Sequence, residues 1–404
     1  MPAFLTHWRI LIETARHSQD AGSTLGSLII DATALRRRSH GWSTPPQTTP
    51  TGAIWDTGPL PEIDFSFPGS DISAMAFLGA LAPDVLYYHR RSTHEIQTDR
   101  SLRKTSTFPT GTKHPLPWSD LFHCSHSGDL VIAFLEQVAL VPSPALRSQA
   151  LAFALGYISH IAADIALHPW IDAVAVHLPA PRAFGRHFSV ELRLDEYLAS
   201  TYFEQPRYSL LSQPWGAYIE PAARNLSQPG SLTARILHLL AIAAEVYQLS
   251  EEQIEMLPRD FLAGLKGLRR FLAGRGRTRW LALLARRRKE RQDLLSRALA
   301  DPQSDSEIIA LEKVLGYATR LSDHLCRRAI NYYTVLRNSH AGASERSSKR
   351  AELVNDLRNW DLHTGSIRES EHEPPLHNWI YFADLWEQIE TKQAQLVEQL
   401  RPGS

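Results

Sequence analysis

The stretch GYISHIAADIALHPW, residues 156–170, places His160, Asp164 and His168 at four-residue intervals among Ile, Ala and Leu. On a helix such residues share one face and spread over about 12 Å at 1.5 Å per residue. A carboxylate flanked by two imidazoles on an apolar helix is costly to bury unless it is paired or metal-bound. His160 and Asp164, one turn apart, could share one metal, and His168 could serve a second nearby. A second pair, His187 and Glu191, follows at the same spacing on the next expected helix. One imidazole and one carboxylate a turn apart is a common helical grip on a divalent ion. His123 lies near the start of the preceding helix, with His126 as its neighbour and rival, and Asp84 sits at a helix-to-loop corner. Nitrogen and oxygen donors of this kind favour Zn²⁺ over Fe or Mn and disfavour Ca²⁺. Helical ion pairs use the same four-residue offset, so either pair alone says little. The succession HxxxDxxxH and then HxxxE, on otherwise apolar helices, is what points to ligation. His89, His94, His126 and His177 carry no comparable pattern and read as ordinary core or surface histidines.

The elements that must hold these residues read as helices throughout. The chain has 404 residues and 43% hydrophobic side chains, enough for a sizeable core. Period-two alternation is nowhere sustained, and the fold class is all-α. Thr6 could cap a helix running to about His17, and DISAMAFLGALAP forms a short apolar helix expected to stop before Pro83. The helix carrying the ligand line is expected from Pro144 to His168, ended by Pro169. Small residues Ala162, Ala163 and Ala166 on it would let neighbouring helices approach. Beyond NLSQPGS the chain stays helical and loses most of its histidines. Helices are expected at 231–248, 250–273, 278–300, 305–338, 344–360 and 376–400. The soft boundary there divides residues 1–228 from a helical C-terminal region, 229–404.

Bulk composition excludes several classes. Forty-three basic and 43 acidic residues give zero net charge, which argues against a general nucleic-acid binder. Two cysteines without a CxxC motif make a thiolate zinc site or a disulfide framework unexpected. The first residues lack the basic-then-apolar order of a secretory signal, and no run of 18 apolar residues marks a membrane span. The expectation is a cytoplasmic chain. Residues 266–291 mix Lys and Arg with Leu, Phe and Trp. That segment fits peripheral contact with anionic lipid, contact with nucleic acid, or a solvated helix packed by its Leu side.

The order of these pieces resembles the zinc-dependent phospholipase C family, whose all-α fold is shared with single-strand-specific zinc nucleases. MPAFLTH, FLGALAPDVLYY, LFHCSHSGDL, GYISHIAADIALHPWID and RHFSVELRLDEYL carry the likeness over roughly residues 1–200. It implies that Asp84, His123 and His160 bind a first zinc, Asp84 being also the general base. His123 is preferred to His126 because Gly128 fits the family pattern. Asp164 would link the first zinc to a third, His168, His187 and Glu191 would hold the second, and His7 would serve the third. The secreted members offer an N-terminal Trp to that third ion, whereas this sequence opens Met1–Pro2. Two zinc ions are thus expected, with the third left open.

The implied activity is hydrolysis of phospholipid headgroup esters by a metal-activated water. Tyr87, Tyr88, Phe122, Trp170 and Phe184 are candidates for an aromatic mouth or for ordinary core. A nuclease-like phosphodiesterase and a non-catalytic metal-binding helical protein remain the alternatives.

Overall fold

The computed structural model describes residues 4–20, 71–88, 118–176, 232–249, 251–272, 302–367 and 376–377. It also describes Phe382 and seven helical residues between 187 and 198. In chain order the elements are α1 (Phe4–Asp20), α2 (Asp71–Val85), α3 (Trp118–Cys124), α4 (Ser127–Leu140) and α5 (Pro144–Val176). There follow α6 (Leu232–Ala243), α7 (Glu251–Leu272), α8 (Pro302–Arg337) and α9 (Ala343–Leu357). A two-residue antiparallel ribbon, β1 (Ser366–Ile367) with β2 (Leu376–His377), completes the described chain. The all-α expectation holds.

The axis of the fold is α5. It has 33 residues, and its central stretch is buried all round, the His160–Asp164–His168 line included. A helix with no solvent-facing side must be surrounded, and α1, α2, α4 and α8 pack around it. By length and composition it could cross a membrane, but its apolar window is wholly buried within the fold. Helix α8 also packs on α1, α4 and α9. Residues from both sides of position 228 therefore share one hydrophobic cluster, from Phe4 and Phe153 to Leu325 and Trp360. Each fully buried Leu, Ile or Phe in such a cluster contributes about 1.5–3 kcal/mol.

Two expected helix ends are displaced. Helix α2 continues through Pro83 to Val85, and α5 continues through Pro169 to Val176. A proline removes one backbone N–H and crowds the carbonyl four residues back. Burial against neighbouring helices outweighs that local cost at both sites. Asp84 therefore lies inside the last turn of α2, where it is buried.

The expected 344–360 helix ends at Leu357, where Arg358 adopts φ 34°. The expected 376–400 helix instead starts with β2. The 278–300 helix, most of the 266–291 segment, Phe184, His89, His94 and His177 lie outside the described residues.

Close approach of α2 to α5 sets the site. A Cβ on Gly79 would meet the Phe153 carbonyl, and one on Gly156 would meet the Ala76 carbonyl. Only glycine lets the two backbones touch at these points. That contact brings Asp84 on α2 level with His160 on α5.

Candidate metal centre

Each ligand candidate has its own mount. His160, Asp164 and His168 project from α5, Asp84 from α2, His123 from the last turn of α3 and His7 from α1. His187 and Glu191 lie on the helical stretch around 187–198. All eight meet in one place, as three groups whose donor atoms lie within 4.8 Å of one another. They are His7–His160–Asp164, Asp84–His123–His160, and His168–His187–Glu191.

Asp164 is the hub. Its carboxylate lies 3.0 Å from His160 Nε2, 3.5 Å from His7 Nε2, 3.6 Å from His123 Nε2 and 3.8 Å from His168 Nε2. Asp84 stands 3.3 Å from His123 Nε2 and 3.6 Å from His7 Nε2. Glu191 lies 3.1 Å from His187 Nε2 and 3.7 Å from His168 Nε2. Ligands around a tetrahedral zinc at 2.0–2.1 Å stand about 3.3 Å apart, so these spacings suit the ion.

Hydrogen bonds fix which nitrogen faces inward. Carbonyl oxygens only accept, so the ring nitrogen facing one must donate. His160 Nδ1 donates to the Ala80 carbonyl at 2.9 Å and His123 Nδ1 to the Ser119 carbonyl at 2.6 Å. His168 Nδ1 donates to the Leu362 carbonyl. His187 Nδ1 meets the Asp172 carboxylate at 2.7 Å. In neutral imidazoles held this way, every Nε2 turns a lone pair toward the centre. Carboxylate-fixed and carbonyl-fixed histidines are the usual outer support of a metal ligand.

The consequence is a concentration of acceptors. His160 Nε2, Asp164 Oδ2 and Asp84 Oδ2 are buried and have no hydrogen-bond partner. His160 Nε2 and Asp164 Oδ2 nevertheless approach to 3.0 Å. Two acceptors that close repel unless a proton or a cation stands between them. The donor set therefore fits a divalent metal.

Titration of the groups shows the same competition between burial and charge. Burial lowers His160, but the Asp164 and Asp84 carboxylates outweigh it and raise its pKa to about 8. Burial likewise opposes protonation of His187, yet hydrogen bonds to Asp172 and Glu191 raise it to about 9. His7 goes the other way, to about 4, through burial and then the neighbouring His160. Burial alone would raise Asp164, but the imidazoles of His160 and His168 hold its carboxyl well below the ordinary value. A metal binding here would displace protons from the same nitrogens.

His126 stands apart, in a left-handed conformation before α4, with Nδ1 on Asp129 at 2.9 Å. Among the aromatic candidates, Tyr87 reaches the centre, its ring 5.2 Å from that of His123. Phe122 is core, stacked on Tyr247, and Tyr88 packs on Phe4. Trp170 is partly buried against the core.

Sequence reasoning passed over the turn Asp361–Gly365. His363 stacks on His123 at 5.1 Å and faces His168 at 6.3 Å. Burial and then the imidazoles of His123 and His168 push its pKa well below the ordinary value. Asp172, four residues after His168 on α5, was the one outer partner whose spacing could have revealed it.

The family model for zinc-dependent phospholipase C matches residues 64–230, which include Asp84, His123, His160, Asp164, His168, His187 and Glu191. No curated protein and no solved structure matches the chain significantly. Over residues 64–230 the chain is thus similar to the zinc-dependent phospholipase C family.

Proposed function

We propose that this protein is a zinc-dependent phosphodiesterase of the phospholipase C type, hydrolysing phospholipid headgroup esters. The carrying observation is the Asp164 carboxylate, buried and faced by imidazoles of all three donor groups. The family match supports zinc and a phospholipid substrate.

In this reading Asp84, His123 and His160 hold the first zinc, and His168, His187 and Glu191 the second. His7, His160 and Asp164 offer a third position. Zinc supplies positive charge for the phosphate's non-bridging oxygens and lowers the pKa of a bound water toward about 7. The protein supplies the rest. Asp84, fixed in the last turn of α2, turns the unpartnered Oδ2 inward and takes the proton of the attacking water there. Asp164 and Glu191 offset the local positive charge. The Nδ1 hydrogen bonds hold the imidazoles in place, so little reorganisation accompanies reaction. In-line attack of that water on phosphorus forms the new P–O bond and breaks the bond to the glycerol oxygen, which takes up a proton and leaves as diacylglycerol, while the headgroup keeps the phosphate.

The test is hydrolysis of phosphatidylcholine, bis-p-nitrophenyl phosphate and single-stranded DNA by wild type and Asp84→Asn. Wild type should cleave the first two. Asp84→Asn should keep most zinc and lose about 10²–10⁴-fold in turnover. Near-normal turnover in that variant would remove Asp84 as the base. Preference for DNA would favour a nuclease, and zinc without any hydrolysis a binding protein.

A further inference from the structure

The turn that follows α9 lies beyond the family segment, yet it touches the centre. One residue, Leu362, joins two of the donor groups. Its N–H donates to the His123 carbonyl at 2.8 Å, and its own carbonyl accepts from His168 Nδ1. His123 belongs to the first group and His168 to the second. The next residue, His363, stacks its ring on both of theirs, tilted 15° from His123 and 9° from His168. Its Nε2 lies 3.3 Å from the Tyr87 hydroxyl.

The turn is built to stay there. Asp361 closes it, its carbonyl taking the Gly365 N–H at 2.8 Å and its side chain the His363 N–H at 2.9 Å. Gly365, at φ +62°, seats it on α5, where a Cβ would meet the Ile165 carbonyl and the Pro169 ring. Pro169 has no N–H to offer that carbonyl, so the proline kept inside α5 lies under this docking point. At the other end Ser127 Oγ donates to the Trp360 carbonyl at 2.9 Å, and Asn359 bridges to Asp129 at 2.8 Å.

We propose that the turn Trp360–Gly365 is a wall of the metal centre, with the Leu362 carbonyl and His363 acting as positioning groups for His168 and His123. The inference rests on the reading that the centre binds zinc. It makes the C-terminal region necessary for full metal affinity, because the catalytic helices alone leave His168 without the acceptor that fixes its tautomer. His363 belongs to none of the donor groups. It acts by packing and orientation.

The test compares full-length wild type, His363→Ala, His363→Phe and Gly365→Ala. Zinc affinity is measured by competition with a chromogenic chelator, and Co²⁺-loaded samples are read by visible absorption. Gly365→Ala lifts the turn from α5, and the weaker zinc should lose on the order of 10–100-fold in affinity, as for loss of an outer-shell partner. His363→Ala should lose on the order of tenfold and change the Co²⁺ bands, while His363→Phe, which keeps the ring, should restore both. If Gly365→Ala fails to fold, the two His363 variants decide. Unchanged affinity and spectra in His363→Ala would overturn the inference while leaving the zinc reading standing. No zinc on wild type would overturn the zinc reading and the inference with it.

Discussion

The two ends of the ligand line on α5 are held by different physics. The inner end, His160 and Asp164, is set by backbone contact between α2 and α5 at Gly79 and Gly156. Its imidazoles lean on helix carbonyls, and His160 is fully buried. The outer end, His168, is set by a carbonyl from a distant turn, and its partner His187 by a carboxylate, Asp172. The His187 side chain keeps 18% exposure. A rigid inner end suits the group that must deliver a base in register. The outer end, assembled from residues far apart in the chain, should be the easier to load, strip and adjust.

Asp164→Asn should break the inner end most severely. It removes the charge that every donor group faces, and activity should fall at least about 10³-fold, several kcal/mol of barrier. Metal analysis should show zinc lost from the inner end first. Retained full zinc with retained turnover would refute the hub role. Gly156→Ala tests the scaffold instead of the ligands. Forcing a Cβ against the Ala76 carbonyl should cost about 3 kcal/mol or more in urea unfolding. Activity should fall along with stability.

Asp172→Asn should touch the outer end alone. It leaves the His187 ring a weaker orienting partner, and the affinity of one zinc should drop about 10–100-fold while the other is unaffected. An equal loss at both would show that the two ends are not separable.

The smallest effect is a pH slope in chelator-stripped protein. His187 is raised above its unfolded value of about 6.5 to about 9 in the fold. A raised value means that the stabilisation is full below pH ~6.5 and is lost as pH rises through about 9. His187→Gln should flatten the decline in urea midpoint between those limits. His7, lowered to about 4, has the opposite sign. Keeping it neutral costs stability as pH falls below ~6.5 toward 4, and His7→Gln should flatten that limb.

What the sequence revealed follows from how far each signal reaches. The four-residue period fixes direction on a helix, so the His160, Asp164 and His168 line was legible from the residues themselves. The same holds for His187 with Glu191. The all-α class followed from the absence of strand alternation, and the ribbon at Ser366 and Leu376 is too short to leave a periodic mark. Pro83 and Pro169 misled because a local rule prices one lost hydrogen bond and not the burial that compensates it. The approach of α2 to α5 turns on Gly79 and Gly156, two isolated glycines that no helical period marks as a contact. Leu362 and His363 could not be read at all. Leu362 acts at His168 through a backbone carbonyl 194 residues along the chain, a role that any side chain could accompany.

The most direct test of the account is the zinc content of purified protein after removal of loosely held metal. The donor groups predict at least two zinc ions per chain, with one removed more readily by chelator. Protein that folds fully and holds none would contradict the metal centre and the hydrolase built on it.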